Sequence, residues 1–86
     1  MDKEIIKLIT DITTLAILIS TNTSIKVITS YHGNVNTFVI TLIETSKITT
    51  VVDTYLNRGN PKEELLKGRE LLLESLKDGL LKDELV

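Results

Sequence analysis

The sequence predicts an α+β fold. Its expected form is a two-layer sandwich in the order helix–strand–strand–strand–helix, a three-stranded antiparallel meander with both helices on one face. Three observations predict it: apolar residues at three- and four-residue steps before Ser20, a Thr/Val/Ile block from Ser24 to Leu56, and a Leu-rich charged stretch after Asn60-Pro61. The first and last have the period of amphipathic helices, and the middle has the period of strands.

The opening segment, about Asp2 to Ser20, places Ile5, Leu8, Ile9, Ile12, Leu15, Ala16 and Ile19 on one stripe. Ile6, Ile17 and Leu18 fall outside it and widen the apolar surface. Thr13 and Thr14 are mediocre helix formers, and Leu15 to Ile19 alone has a strand's composition, but the sustained spacing favours helix. Thr21-Asn22-Thr23-Ser24 ends it with side chains that compete for backbone hydrogen bonds.

In the block that follows, strand one (Ile25–Tyr31) sets Ile25, Val27, Thr29 and Tyr31 against Lys26, Ile28 and Ser30. His32-Gly33-Asn34-Val35-Asn36 breaks the pattern, with Gly33-Asn34 expected to supply the positive φ of a tight hairpin. Strand two (Thr37–Thr45) sets Phe38, Ile40, Leu42 and Glu44 against Val39, Thr41 and Ile43. After a short Ser46-Lys47 link, strand three (Ile48–Leu56) sets Ile48, Thr50, Val52, Thr54 and Leu56 against Thr49, Val51, Asp53 and Tyr55.

Arg58-Gly59-Asn60-Pro61 is the clearest punctuation. Asn60 suits an N-cap, Pro61 the first helical position and Glu63 the acidic place in a capping box, a cap worth about 1 kcal/mol. Leu65, Leu66, Leu72, Leu73, Leu76 and Leu80 then make the expected buried stripe, with Lys62, Lys67, Glu70, Glu74 and Lys77 on the wet side. Gly68 is costly inside a helix, by ~1 kcal/mol relative to Ala, unless it permits close packing. Gly79 is the expected C-cap, and Lys82 to Val86 are expected to fray. The 86 residues make one domain, 1–86, at the lower end of what folds alone.

Composition excludes several classes of function. A net charge of −2, with cations interleaved among acids after Arg58 and only Lys26 and Lys47 between Lys7 and Arg58, gives no basic face for nucleic acid. Without cysteine there is no disulfide, thiolate zinc site or thiol nucleophile. The start, Met1-Asp2-Lys3-Glu4, lacks the features of a secretory signal, and Leu15 to Ile19 is too short to span a bilayer. A cytoplasmic protein without membrane contact is expected.

Residues able to carry chemistry are few. His32, the single histidine, needs a second group to act as base or ligand, and Asp53 and Glu44 are the acids in the sheet region. A polar turn residue accounts for His32, and protection of sheet edges accounts for the two acids. No phosphate loop, nucleophile elbow or H-E-x-x-H motif is present. No enzyme activity, cofactor or metal is therefore expected.

The apolar surplus is more informative. Val39, Ile43, Val51 and Tyr55 fall on the sheet face away from Phe38, Ile40 and Leu42, more apolar surface than so small a chain easily buries. That face is the expected interface, with a homodimer as its product. A second candidate is the turn, where Tyr31, His32, Asn34 and Asn36 form a potential binding site.

The stretch Tyr31-His32-Gly33-Asn34-Val35-Asn36, followed by the strand Thr37 to Glu44, resembles a motif in small orphan proteins of phages and mobile elements from Gram-positive bacteria. There an aromatic-rich strand enters a Ser-Gly-His-Val-Asn-type turn and an alternating strand follows; here the His precedes the Gly. The match covers about a third of the chain, and the family has no assigned activity. The resemblance implies a protein-interaction role: an acidic inhibitor or modulator docking on a host or defence protein, or a self-associating assembly module. A minor enzyme or small ligand binder using Tyr31, His32 and Tyr55 is the third reading.

Overall fold

A computed structural model describes residues 2–85. Helix α1 spans Lys3–Asn22 and helix α2 spans Pro61–Leu85; strands β1 (Lys26–His32), β2 (Thr37–Glu44) and β3 (Lys47–Tyr55) lie between them. The strands form one antiparallel sheet in the order β1-β2-β3, and the class and element order are those the sequence predicts.

Asp2 starts α1 by accepting the Glu4 N–H on its carboxylate at 2.8 Å. The helix passes the expected end at Ser20 because its polar residues bond back onto it. Thr21 Oγ1 donates to the Ile17 carbonyl at 2.7 Å and Asn22 Nδ2 to that of Leu18 at 2.9 Å. Thr23 is extended and ends it. The buried Thr23 hydroxyl donates to the Ile19 carbonyl (2.8 Å) and accepts the Ile25 N–H (3.1 Å), which ties the helix end to the start of the sheet.

Two turns differ from expectation. The β1–β2 connection is a four-residue turn, closed by the Val35 N–H donating to the His32 carbonyl at 3.3 Å, and the left-handed residue is Asn36 (φ 54°), not Gly33 or Asn34. Asn tolerates that conformation better than most residues, so the last turn position supplies the reversal. The β2–β3 connection has two residues, and Thr45 sits at φ 49°.

The alternation of β3 is also corrected. Ile40 pairs with Val52 but Thr41 pairs with Thr50, so Val51 is an extra residue bulged from the ladder. The bulge reverses the faces on either side of it. Val52 and Thr54 point to the helices as expected, while Thr50 and Ile48 turn to the opposite face and Val51 packs against the core.

Both helices cover the Phe38/Ile40/Leu42 face, α1 over β1 and α2 over β3, and they run in the same direction. Asp2 and Glu4 meet Lys62 (2.9 and 3.1 Å), Asp11 meets Arg69 (3.5 Å), and Thr23 meets Gly79. The core between the layers comprises Ile5, Leu8, Ile12 and Ile19 of α1, Phe38, Ile40, Leu42 and Val52 of the sheet, and Leu65 and Leu72 of α2. Gly68 lies against the sheet, where a Cβ would stand 2.6 Å from Val52 Cγ2.

Gly79 is not a cap. The helix continues to Leu85, and Gly79 is buried where a Cβ would stand 2.8 Å from Thr23 Cγ2. The glycine answers a packing need and not a terminus. The segment expected to fray is therefore helical through Leu85, while Val86 lies outside the described residues. Leu66 and Leu80, expected in the buried stripe, are exposed.

Candidate interaction surface

With both helices on one face, the other face of the sheet is open. Antiparallel register places directly opposed residues on the same face, so the open surface reads as four rows: His32–Thr37–Tyr55, Ser30–Val39–Asp53, Ile28–Thr41–Thr50 and Lys26–Ile43–Ile48. Ile48 is 71% exposed, Ile28 50% and Tyr55 41%, and Val39 and Ile43 are half-buried between them. The remainder of the interior rows is Thr and Ser, with charge confined to the margins.

Of the four residues expected in the interface, Val39, Ile43 and Tyr55 lie on this face, and Val51 is drawn toward the core by the bulge. Ile28 and Ile48 are two contributors missed from sequence. Ile28 was legible, since a meander pairs it with Thr41. Ile48 was not, because only the bulge turns it outward. The Arg58 guanidinium stacks on Tyr55, 3.7 Å from the ring centroid, and marks one corner of the surface.

The turn residues separate. The Tyr31 hydroxyl donates to Asn36 Oδ1 at 3.0 Å, and the Asn36 carbonyl accepts the Leu56 N–H at 2.9 Å, tying the hairpin tip to the end of β3. Tyr31, Asn36 and Leu56 line an open cleft of about 560 Å³ with Asp2, Ile5 and Asn57. Asn34 stands exposed at the tip, and His32 lies on the open sheet face.

The titratable groups of the sheet do not gather. His32 and Asp53 sit two strands and one row apart, roughly 12 Å on regular sheet spacings. Glu44 is at the far end of β2, opposite Lys47. Among the described residues no three acids or histidines cluster to hold a metal ion, and no helix is long and apolar enough to cross a membrane. Asp2 and Lys62 couple the starts of the two helices. Its hydrogen bond to Lys62, helped by the Glu4 N–H, holds the Asp2 carboxyl below the usual carboxylate range, and the same bonds from Asp2 and Glu4 raise Lys62.

The fold and surface together define a small two-layer α+β protein with an uncovered, mostly uncharged sheet face. Comparison with protein families, with curated proteins and with solved structures finds no match for this chain.

Proposed function

We propose that this protein is a non-enzymatic interaction module that works through its open sheet face, and that the face closes on a second copy of the chain. The observation that carries the reading is the row structure: Ile28, Val39, Ile43, Ile48 and Tyr55 project from one side of a sheet whose other side is the one both helices cover. A continuous apolar patch of this kind is unusual on a protein that acts alone.

Charge favours a second copy as the occupant. Lys26 and Asp53 stand on opposite edge strands, so the margins of the patch carry one cation and one anion, the Lys26 ammonium resting on the Ser20 carbonyl of α1 at 2.7 Å in the single chain. On regular strand and row spacings, a two-fold axis bringing Lys26 of one copy to Asp53 of the other passes over Thr41. The two sheets then cross at roughly 70°, nearer the orthogonal class of sheet packing than the aligned one. Three strands by four rows give a footprint of roughly 400 Å². This is about half of the roughly 800 Å² per partner of a standard stable interface and belongs with weak, transient contacts, so a dimer dissociating in the micromolar range, ~10–100 μM, is expected.

Ile48→Glu tests it. The side chain is the most exposed large hydrophobic residue of the face, so the change leaves the core untouched while placing a charge in the interface. Sedimentation velocity on the order of 100 μM should show a dimer for the parent chain and a monomer for the variant. A parent chain that stays monomeric at that concentration removes the dimer and leaves the face to a different protein, as expected of a mobile-element modulator of a host or defence protein.

A further inference from the structure

The first half of β3 carries a strained turn, a bulge and an exposed isoleucine, and one cause accounts for all three. Glu44 pairs with Lys47, so the loop before β3 is Thr45-Ser46, and of these two only Thr45 is left-handed, at φ 49°. That is the φ pattern of a type II′ turn, which calls for glycine at its first position. A β-branched side chain is strained there. Beyond the turn, Val51 is bulged out of the ladder, and Ile48 stands 71% exposed on the open face. The bulge takes up one residue of β3, which leaves only two for the loop and turns Ile48 outward.

Moving the extra residue from the ladder into the loop gives a second pairing. Thr41 then faces Val51, Leu42 faces Thr50, Ile43 faces Thr49 and Glu44 faces Ile48, while Ile40–Val52 and the pairs beyond it stay as they are. The loop becomes Thr45-Ser46-Lys47. A three-residue loop has its left-handed residue at the third position, so the strain passes from Thr45 to Lys47, which is not β-branched. A one-residue slip also turns each side chain over. Val51 leaves the margin of the core for the open face, and Ile48 leaves the open face for the helix side. The helix side has room for it. Ile48 would replace Lys47 opposite Glu44, at the edge of a cleft of about 270 Å³ that Ile25, Glu44, Ser75, Asp78 and Leu81 line.

We propose that the segment Lys47–Val51 exchanges between these two registers, so that the open face presents Ile48 in one and Val51 in the other. The opposing effects are close to balance. The bulged register keeps Val51 against the core but holds a strained turn, an unpaired residue and an exposed isoleucine. The regular register gives up the Val51 packing and relieves the other three. A minor state so matched to the major one holds roughly 0.1–10% of the molecules. Under the reading of this face as an interface, a partner resting on Ile48 draws the chain into the bulged register, and β3 is the element that regulates its access. The exchange itself does not depend on that partner.

The chain has no cysteine, so engineered pairs report the registers directly. Ile43→Cys with Ile48→Cys sets two thiols opposite one another in the bulged register, and Ile43→Cys with Thr49→Cys does so only in the regular one. Position 43 is one pair in from the turn, a non-hydrogen-bonded site where opposed Cα atoms lie about 4.5 Å apart, within disulfide range. In the bulged register the side chains of positions 43 and 49 point to opposite faces. At ~1 μM, below the dimer's dissociation range, both double variants should close under mild oxidation, the second about 10–1,000-fold more slowly. Thr45→Gly eases only the two-residue turn and should slow the second closure about fivefold, while Lys47→Gly should speed it. Urea at about 1 M should leave that rate unchanged, because a register slip exposes little surface. An Ile43/Thr49 variant that stays reduced while the Ile43/Ile48 variant closes overturns the inference. So does a rate that rises about fivefold in that urea, which marks closure through global unfolding. Closure at the expected rate in a chain that stays monomeric on the order of 100 μM removes the dimer and upholds the exchange.

Discussion

Gly68→Ala separates two opposed effects at one atom. Gly68 is buried within α2, and on helix propensity alone the change should stabilise the protein by about 1 kcal/mol. The added Cβ, however, would lie 2.6 Å from Val52 Cγ2 and 3.1 Å from Ile40 Cδ1, where carbons in contact rest at about 3.5–4.0 Å. Val52 is stiff at χ1 and 3% exposed, and Ile40 is fully buried, so neither can swing away. The helix and sheet layers must separate by several tenths of an ångström. Overpacking of that kind costs about 1–3 kcal/mol, and with the propensity gain subtracted the expected net loss is about 1 kcal/mol.

For a chain whose total stability is ~5–10 kcal/mol, this is measurable by urea denaturation. With a slope of about 1 kcal/mol/M for so small a domain, the midpoint should fall by about 1 M at unchanged slope. Val52→Ala removes the obstructing methyl, so the double variant should lose less than the sum of the two single changes, by about 1–2 kcal/mol. A rise of the Gly68→Ala midpoint by a similar amount would refute the close-packing account and leave the glycine merely tolerated.

Two further changes probe the turns and the helix starts. Thr45 holds a β-branched side chain at φ 49°, so Thr45→Gly should stabilise the hairpin by about 0.5–1 kcal/mol after the added freedom of the unfolded chain is counted; a lower melting temperature would contradict it. The Asp2–Lys62–Glu4 cluster makes stability depend on pH at both extremes. Asp2 is depressed, so its contribution is present above its unfolded pKa and lost as pH falls through its lower folded value. Lys62 is raised, so its contribution is full below its unfolded pKa and lost as pH rises through its higher folded value. Carboxyl titration by NMR should show Asp2 returning toward the ordinary range in Lys62→Met, and an unmoved Asp2 would place the cause elsewhere. The cluster is solvent-exposed, so added salt should weaken the whole effect.

Much of the fold was legible because the period of the pattern reports what each residue must bury. Ile5, Leu8, Ile12 and Ile19 recur at helical spacing, Phe38, Ile40 and Leu42 at strand spacing, and all are buried. The candidate interface was legible in part for the same reason, since Val39 and Ile43 alternate with that buried set. Gly79 was misread because a glycine near a helix end has two physical uses, and sequence does not distinguish a left-handed cap from a close approach to Thr23. Ile48 was misread because alternation carries across a strand only when no residue is inserted, and nothing in Ile48-Thr49-Thr50-Val51-Val52 marks an insertion.

By itself, then, the sequence determined the elements, their order and the buried stripes of α1 and β2, because local spacing and the need to bury apolar side chains act within a few residues of each other. It also determined that an apolar surplus exists. Where that surplus lies was decided only by tertiary structure. The bulge at Val51 turns Ile48 onto the open face, and the parallel docking of α1 and α2 commits both helices to one side of the sheet. Ser20 reaches across from α1 to accept the Val27 N–H. Each of these joins residues distant in sequence or rests on one strand's register against another, and such relations have no local signature in the chain.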